Sequence, residues 1–214
     1  MPRMLIVTQC SSRKSDVELF PNAPVVDLPS KLPETGHLLL EGRRRFLRGL
    51  SGPPVTALSL YDGHEYRAMD RRLVYEALLR GSAELLILSG GYGLVHPLER
   101  VKGYDVRMDS RLAAAWIELG LHRALEEFIE LARVQEVYGL FTKSSAYSRL
   151  FRAVNWGRLG SAGLRRATVI SPTGCGNPTK SLRALGLTVN YLVARVRLPS
   201  QRELGCLLVA EDLL

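Results

Sequence analysis

Short apolar runs that end in polar loops recur along this chain with helical stretches between them, and that alternation leaves few folds open. Met4 to Thr8 (MLIVT), Leu85 to Leu88 (LLIL) and Val137 to Phe141 (VYGLF) are short and almost uniformly apolar. Such runs read as strands covered on both faces, the situation of strands in a parallel sheet. Val55 to Leu60, Thr168 to Ile170 and Thr188 to Val193 add weaker strand signals. Between them, Leu38 to Leu50, Tyr66 to Arg80 with Gly81 as its stop, Arg111 to Arg133 with an interruption near Gly120, Ser144 to Val154 and Thr179 to Leu185 read as helices. The pattern predicts an α/β fold: a mainly parallel sheet of about five strands with helices on both faces. At 214 residues the chain is long enough for one substantial core, so a single domain over residues 1–214 is expected.

In sheets of this kind ligands bind outside the carboxyl ends of the strands. Three polar loops follow strands, at Gln9 to Lys14, Ser89 to Gly93 and Thr142 to Ser145, and are expected along one edge of the sheet. In the first, Cys10, Ser11, Ser12, Arg13 and Lys14 put a thiol, two hydroxyls and two cations within five residues. Adjacent positive charge favours a reactive thiolate, although a small cysteine buried at a strand end is the commoner case. Lys14 reads as an anion contact or, in the plainer view, as a solvated loop lysine. The second loop, Ser89-Gly90-Gly91-Tyr92-Gly93, either offers backbone N–H groups to a ligand or is a tight turn and nothing more. In the third, Lys143 and Ser144 are ligand candidates, with Ser144 or Ser145 equally a helix cap. Tyr61 in YDGHEY could stack a base or cover the core, and Tyr66 is expected in the core.

Twenty-nine Lys and Arg against twenty-one Asp and Glu leave a formal charge of +8. That excess favours phosphate-bearing partners, although basic charge also occurs in proteins that never meet nucleic acid. Arg43, Arg44, Arg45 and Arg48 on the Leu38 to Leu50 helix are the nucleic-acid candidates; a solvated helix face is the alternative. No apolar stretch approaches the roughly 20 residues of a membrane span and the start lacks a signal peptide, which predicts no membrane association and a cytoplasmic location. Three cysteines without CxxC spacing are expected as reduced thiols. His37, His64, His96 and His122 show no metal-ligand spacing, so neither a metal nor another cofactor is expected.

Leu86 to Leu112, LILSGGYGLVHPLERVKGYDVRMDSRL, closely resembles the signature of the YaaA family, LSGxYGxxxPLxxxxxYxxxMxxRL. The fixed positions are Leu88, Ser89, Gly90, Tyr92, Gly93, Pro97, Leu98, Tyr104, Met108, Arg111 and Leu112. Tyr61 to Tyr66 is similar to that family's aromatic-x-Gly-x-x-Tyr element, and the Lys14 loop to its Ser-Pro-Ala-Lys loop. The resemblance implies an unusual α/β fold, a part in peroxide stress and DNA binding that limits oxidative damage, and it adds Tyr104 and Arg111 to the ligand candidates. Longer members carry a helix-hairpin-helix-like element where this chain has only the basic helix and Gly52-Pro53-Pro54. A second, weaker similarity joins Cys10-x-x-x-Lys14 to the Cys-x-x-x-Lys-Pro-Tyr motif of archaeosine-synthase-type tRNA-modifying domains, with Ser15 and Asp16 in place of Pro-Tyr. Two functions are therefore expected as alternatives: a nucleic-acid-binding protein, or a nucleobase- or nucleotide-processing enzyme using Lys14 or Cys10.

Overall fold

The computed structural model describes residues 3–143 and 145–214. In chain order the elements are β1 (Met4–Gln9), a 3-10 turn (Pro29–Lys31), α1 (Gly36–Phe46), β2 (Ser51–Thr56), α2 (Ala57–Leu60), α3 (His64–Ala68), α4 (Arg71–Arg80), β3 (Glu84–Ser89), β4 (Gly93–Val95), β5 (Arg100–Gly103), α5 (Ser110–Leu119), α6 (Leu121–Leu131), β6 (Glu136–Leu140), α7 (Ala146–Arg152), α8 (Trp156–Ser161), β7 (Arg166–Thr173), α9 (Pro178–Arg195), α10 (Gln201–Leu204) and β8 (Leu207–Asp212). Six strands form one sheet in the order β4-β3-β1-β6-β7-β8. Its four central strands are parallel, and β4 and β8 close the edges antiparallel to their neighbours. β2 and β5 pair separately as an antiparallel ribbon.

The pleat of β1 divides the core into two layers. Leu5 and Val7 pack on one face with Leu86, Leu88 and Val137 against Leu39 of α1, Trp116 of α5, Phe128 of α6 and Phe151 of α7. Met4 and Ile6 look the other way, with Leu85, Ile87 and Leu140, toward Leu58 of α2, Tyr66 of α3, Val74 of α4 and Leu185 of α9. Apolar side chains on both faces are the reason these strands show no polar alternation. Local signals set the helix ends: the carboxylates of Asp70 and Asp109 accept the backbone N–H groups of Leu73 and Leu112. Gly81 (φ 65°) and Gly120 (φ 96°) stop α4 and α5 in the left-handed conformation.

Three expectations are corrected. Thr188 to Val193 is helical and forms the second half of α9. Its β-branched residues favour a strand, but Ala184, Leu185, Thr188, Val189 and Leu192 bury one helical face, and that packing overrides propensity. Val55 to Leu60 is not one strand: β2 ends at Thr56, and Ala57–Leu60 is a helical turn. The strand instead begins at Ser51 and runs through Pro53 and Pro54, where the pairing register with β5 shifts. Cys175 and Cys206, expected as free thiols, form a disulfide with 4.6 Å between their Cα atoms. The pairing of Thr173 with Leu207 in β7 and β8 brings these two residues, 31 apart in sequence, side by side. Cys10 is free. No helix among the described residues is long and apolar enough to cross a membrane.

Candidate functional site

β1 and β6 lie side by side and parallel, yet the chain leaves β1 toward β3 and leaves β6 toward β7, on opposite sides. Diverging connections open a crevice at the carboxyl ends of such a pair. A cavity of about 930 Å³ occupies that position. Gln9 to Lys14 after β1, Asp62 to Arg67 at the start of α3, Tyr104 to Ser110 ahead of α5, and Thr142, Lys143 and Ser145 to Tyr147 after β6 form its walls. The Cys10 Sγ lies 3.0 Å from the Tyr147 hydroxyl and so joins the first and third loops. Ser144 lies outside the described residues. The Ser145 hydroxyl caps α7 by accepting the Ser148 N–H, 3.2 Å away.

The glycine loop does not join them at the surface. Residues Leu85 to Glu99 are buried throughout, and none of Ser89 to Gly93 lines the cavity. A Cβ on Gly90 would come within 2.9 Å of the Val106 carbonyl, and one on Gly91 within 2.7 Å of Leu47 and 2.9 Å of the Tyr104 ring. Gly93 combines φ 74° with the Trp116 ring 2.7 Å from where a Cβ would stand. Of the two readings of this loop, the geometry fits the tight turn: it is buried, its glycines admit close packing, and it offers the cavity no exposed cradle of N–H groups. Its contribution to the site is indirect. Ser89 Oγ accepts the Tyr92 N–H at 3.0 Å and lies 2.8 Å from the Tyr104 hydroxyl, which is in turn 3.2 Å from that of Tyr61. Tyr61 is fully buried and serves this chain of hydroxyls rather than an exposed stacking platform.

Tyr104 holds the lysine. The Lys14 ammonium sits 4.1 Å from the centre of the Tyr104 ring, a cation–π contact. Partial burial pulls the Lys14 pKa below the ordinary lysine value, partly offset by Coulombic attraction to Cys10 and Asp105. The Ser11 hydroxyl donates to the Arg13 carbonyl at 2.9 Å, and the Ser12 carbonyl is 3.4 Å from the Lys14 ammonium. Arg13 reaches Asp62 at 3.2 Å. Asp62 also pairs with Arg67 and Arg71 at 2.7 and 2.9 Å, and the hydrogen bond from Arg67 leads in lowering its pKa. Lys143 and Arg107 stand exposed at the rim, while Arg111 is exposed outside the lining.

The arginine helix splits. Arg44, Arg45 and Arg48 are exposed as expected, but Arg43 is turned inward. It donates to Glu99 at 2.6 Å and to the carbonyls of Tyr92 and Leu94, both at 3.1 Å. Its guanidinium is thus committed to the fold, which corrects its placement on a surface for nucleic acid. The helix ends at Phe46, short of the expected Leu50, and it is the segment after it that adjoins the cavity: the backbone N–H of Asp105, a cavity residue, donates to the Arg48 carbonyl at 3.0 Å.

One residue of the cavity wall escaped the sequence. Glu65 is only 3% exposed, accepts hydrogen bonds from the Thr8 hydroxyl and, at 3.4 Å, from the Gln9 amide, and makes no ion pair among the described residues. Burial pushes its carboxyl up to about 8. Nothing in YDGHEY marks one acidic residue as buried, because the five-residue helix carrying it is too short to show a period. With a folded pKa of about 8 against an ordinary value near 4.5, the folded state binds the extra proton between those values. Its stabilising contribution is complete below about pH 4.5 and is lost as the pH rises through 8. Glu65→Gln, which cannot ionise, should match the wild type at pH 5 and exceed it by about 1–3 kcal/mol at pH 8.5. Urea titrations at both pH values check this; a gap independent of pH would remove the inference that the carboxyl is buried without compensation.

Comparison with known proteins adds the family context. A family profile described as "Peroxide stress protein YaaA" matches residues 37–151, just over half of the chain, which includes the glycine turn and Tyr104 but not the Lys14 loop. UPF0246 proteins of Cereibacter sphaeroides strains ATCC 17029 and KD131 are each 40% identical to the chain over 60 residues. A third, from strain ATCC 17025, is 39% identical over 62 residues. Those stretches cover 28% of this chain and 23% to 24% of the relatives, so the match spans about a quarter of their length.

Proposed function

Since the chain belongs to the YaaA family of peroxide stress proteins, we propose that the cavity beside Lys14 is its working site and that it receives a base or nucleotide of nucleic acid. The observation that carries this reading is Lys14 itself: an ammonium held over the Tyr104 ring at the wall of a cavity that Arg107 and Lys143 also line. A cation over an aromatic ring, with further cations at the mouth, suits a phosphate at the rim and a base within. Arg48, whose carbonyl accepts the N–H of the cavity residue Asp105, and the exposed Arg44 and Arg45 before it are the further cations a bound strand would meet. A second reading has one observation in its favour. The lowered pKa of Lys14 makes the free amine more accessible, which is what a lysine nucleophile needs.

Lys14→Arg and Lys14→Met separate the two readings. As a contact for an anion, Lys14 supplies charge, so arginine should retain most of the affinity and methionine should lose about tenfold or more. As a nucleophile it supplies an amine that arginine cannot replace, and the two variants should then be equally inactive in a base-modification assay. The measurement is fluorescence anisotropy with single- and double-stranded oligonucleotides across a salt series, alongside labelled mononucleotides. The combined change Arg44→Ala, Arg45→Ala and Arg48→Ala should flatten the salt dependence. Binding unchanged by Lys14→Met would sink the proposal.

A further inference from the structure

Asp62 is shared by three arginines, and among the described residues none of the three has a second acidic partner. The Arg13 Nε lies 3.2 Å from Asp62 Oδ2. Arg67 donates to the same oxygen through Nε at 3.2 Å and through Nη2 at 2.7 Å, and Arg71 donates to Oδ1 at 2.9 Å. One carboxylate balances one guanidinium, so the cluster keeps an excess of two positive charges. Like charges gathered on one carboxylate repel each other, and a bound anion relieves that repulsion.

The cluster stands on fixed backbone. The Asp62 N–H donates to the Arg13 carbonyl at 3.0 Å, Lys14 and Tyr61 form the adjoining antiparallel bridge, and Arg67 belongs to α3. Arg71 is largely buried, donates from Nε to the Tyr66 carbonyl at 3.1 Å, and does not line the cavity. Arg13 and Arg67 do line it, and their side chains are 64% and 43% exposed. A guanidinium carries five N–H donors. Arg13 meets Asp62 through Nε alone and Arg67 through Nε and Nη2, so both keep donors open to a ligand.

We propose, resting on the reading of the cavity as a nucleic-acid site, that Arg13 and Arg67, gathered by Asp62 and backed by Arg71, take a phosphate monoester: the terminal phosphate of a strand whose end nucleotide lies beside Lys14. A phosphate monoester carries close to two negative charges at neutral pH, which matches the excess on the cluster, and it presents three acceptor oxygens. An internal phosphodiester has one charge and two free oxygens and leaves one cation unmatched. Arginine suits the monoester better than lysine does, because its planar fork meets two phosphate oxygens at once. Asp62 holds the two accessible forks at one place before the ligand arrives, which reduces the ordering that binding requires.

The test is a competition assay in which unlabelled single strands of random sequence displace a fluorescent strand from the protein. The competitors differ only at one end, which carries a hydroxyl, a phosphate or a methyl phosphate; one set is varied at the 5′ end and another at the 3′ end. In one of the two sets the phosphate should bind about tenfold or more tightly than the hydroxyl, the usual worth of hydrogen bonds to a charged group. The methyl phosphate, with one charge and one oxygen fewer to offer, should lose most of that gain. Arg13→Gln combined with Arg67→Gln should abolish the difference; Asp62 keeps Arg71 in that variant, so its thermal melt should stay close to that of the wild type. Lys14→Met should weaken all competitors alike. Equal displacement by all ends, or a preference that survives the double substitution, would overturn the inference while leaving the cavity reading intact. Inorganic phosphate competing as well as the phosphorylated strand would assign the cluster to the free ion and overturn it too. Binding of no strand at all would overturn both.

Discussion

Arg43→Ala should destabilise the protein by about 3–5 kcal/mol, the usual consequence of leaving one member of a buried ion pair alone. The guanidinium is 13% exposed and Glu99 5%, and Arg43 also serves two carbonyls of the turn that carries Tyr92 and Leu94. Burial already works to raise the Glu99 pKa and the arginine works against it, so removing Arg43 leaves a carboxylate that must take up a proton or stay unpaired. Arg44→Ala, Arg45→Ala and Arg48→Ala, on exposed positions of the same run, should each change stability by less than about 0.5 kcal/mol. Urea unfolding followed by the fluorescence of Trp116 and Trp156 compares all four. A loss for Arg43→Ala no larger than for its neighbours would mean that the pair contributes nothing. Replacing Arg43 and Glu99 together by methionine should recover much of the loss, since a buried pair exchanged for apolar side chains of similar volume is often neutral.

Gly186→Ala should cost about 2 kcal/mol despite placing a better helix former inside α9. The intrinsic preference for alanine over glycine in a helix is worth about 1 kcal/mol in the stabilising direction. Against it stands the Cβ, which would lie 2.0 Å from the Glu65 carbonyl oxygen and 3.1 Å from the Met69 N–H. Those are backbone atoms of α3 and its end, tied to α9 by the Asn190 side chain, which accepts the Asp70 N–H at 2.7 Å and donates to the Ala68 carbonyl at 3.1 Å. No side chain can swing aside, so the helices must separate, and forced separation in a packed core costs about 1–3 kcal/mol or more. On the proposed reading of the cavity, part of whose wall is α3, nucleotide affinity should fall together with stability. A variant as stable as the wild type would show that α3 and α9 are not in the close contact described.

Much of this was readable along the chain. The uniform apolar character of Met4 to Thr8, Leu85 to Leu88 and Val137 to Phe141 required strands with both faces covered, and Asp70, Gly81, Asp109 and Gly120 marked helix ends by local chemistry. A residue cap or a run of apolar side chains acts within a few positions of itself, and so it survives in sequence. The loop from Cys10 to Lys14 was legible as a candidate for the same reason: it follows a buried strand in a sheet whose ligands bind at that end.

What escaped depends on contacts between distant segments. The glycine turn invited a reading as an exposed cradle, but Trp116, Tyr104 and Leu47 close over it from elsewhere in the chain. Four arginines looked alike until Glu99 drew one of them inward. Cys175 found Cys206 through the register of an edge strand, and Thr188 to Val193 became helix because its buried face belongs to α9. Glu65 shows the division most plainly. Its identity as an acid is a fact of composition, whereas its shifted proton affinity is a consequence of solvent excluded by α9, β1 and α7 together. Local pattern specified the central strands and the capped helix ends, because backbone propensity and periodicity act over a few residues. Burial, pairing and charge state at the cavity arise from long-range packing, for which one-dimensional spacing carries no signal.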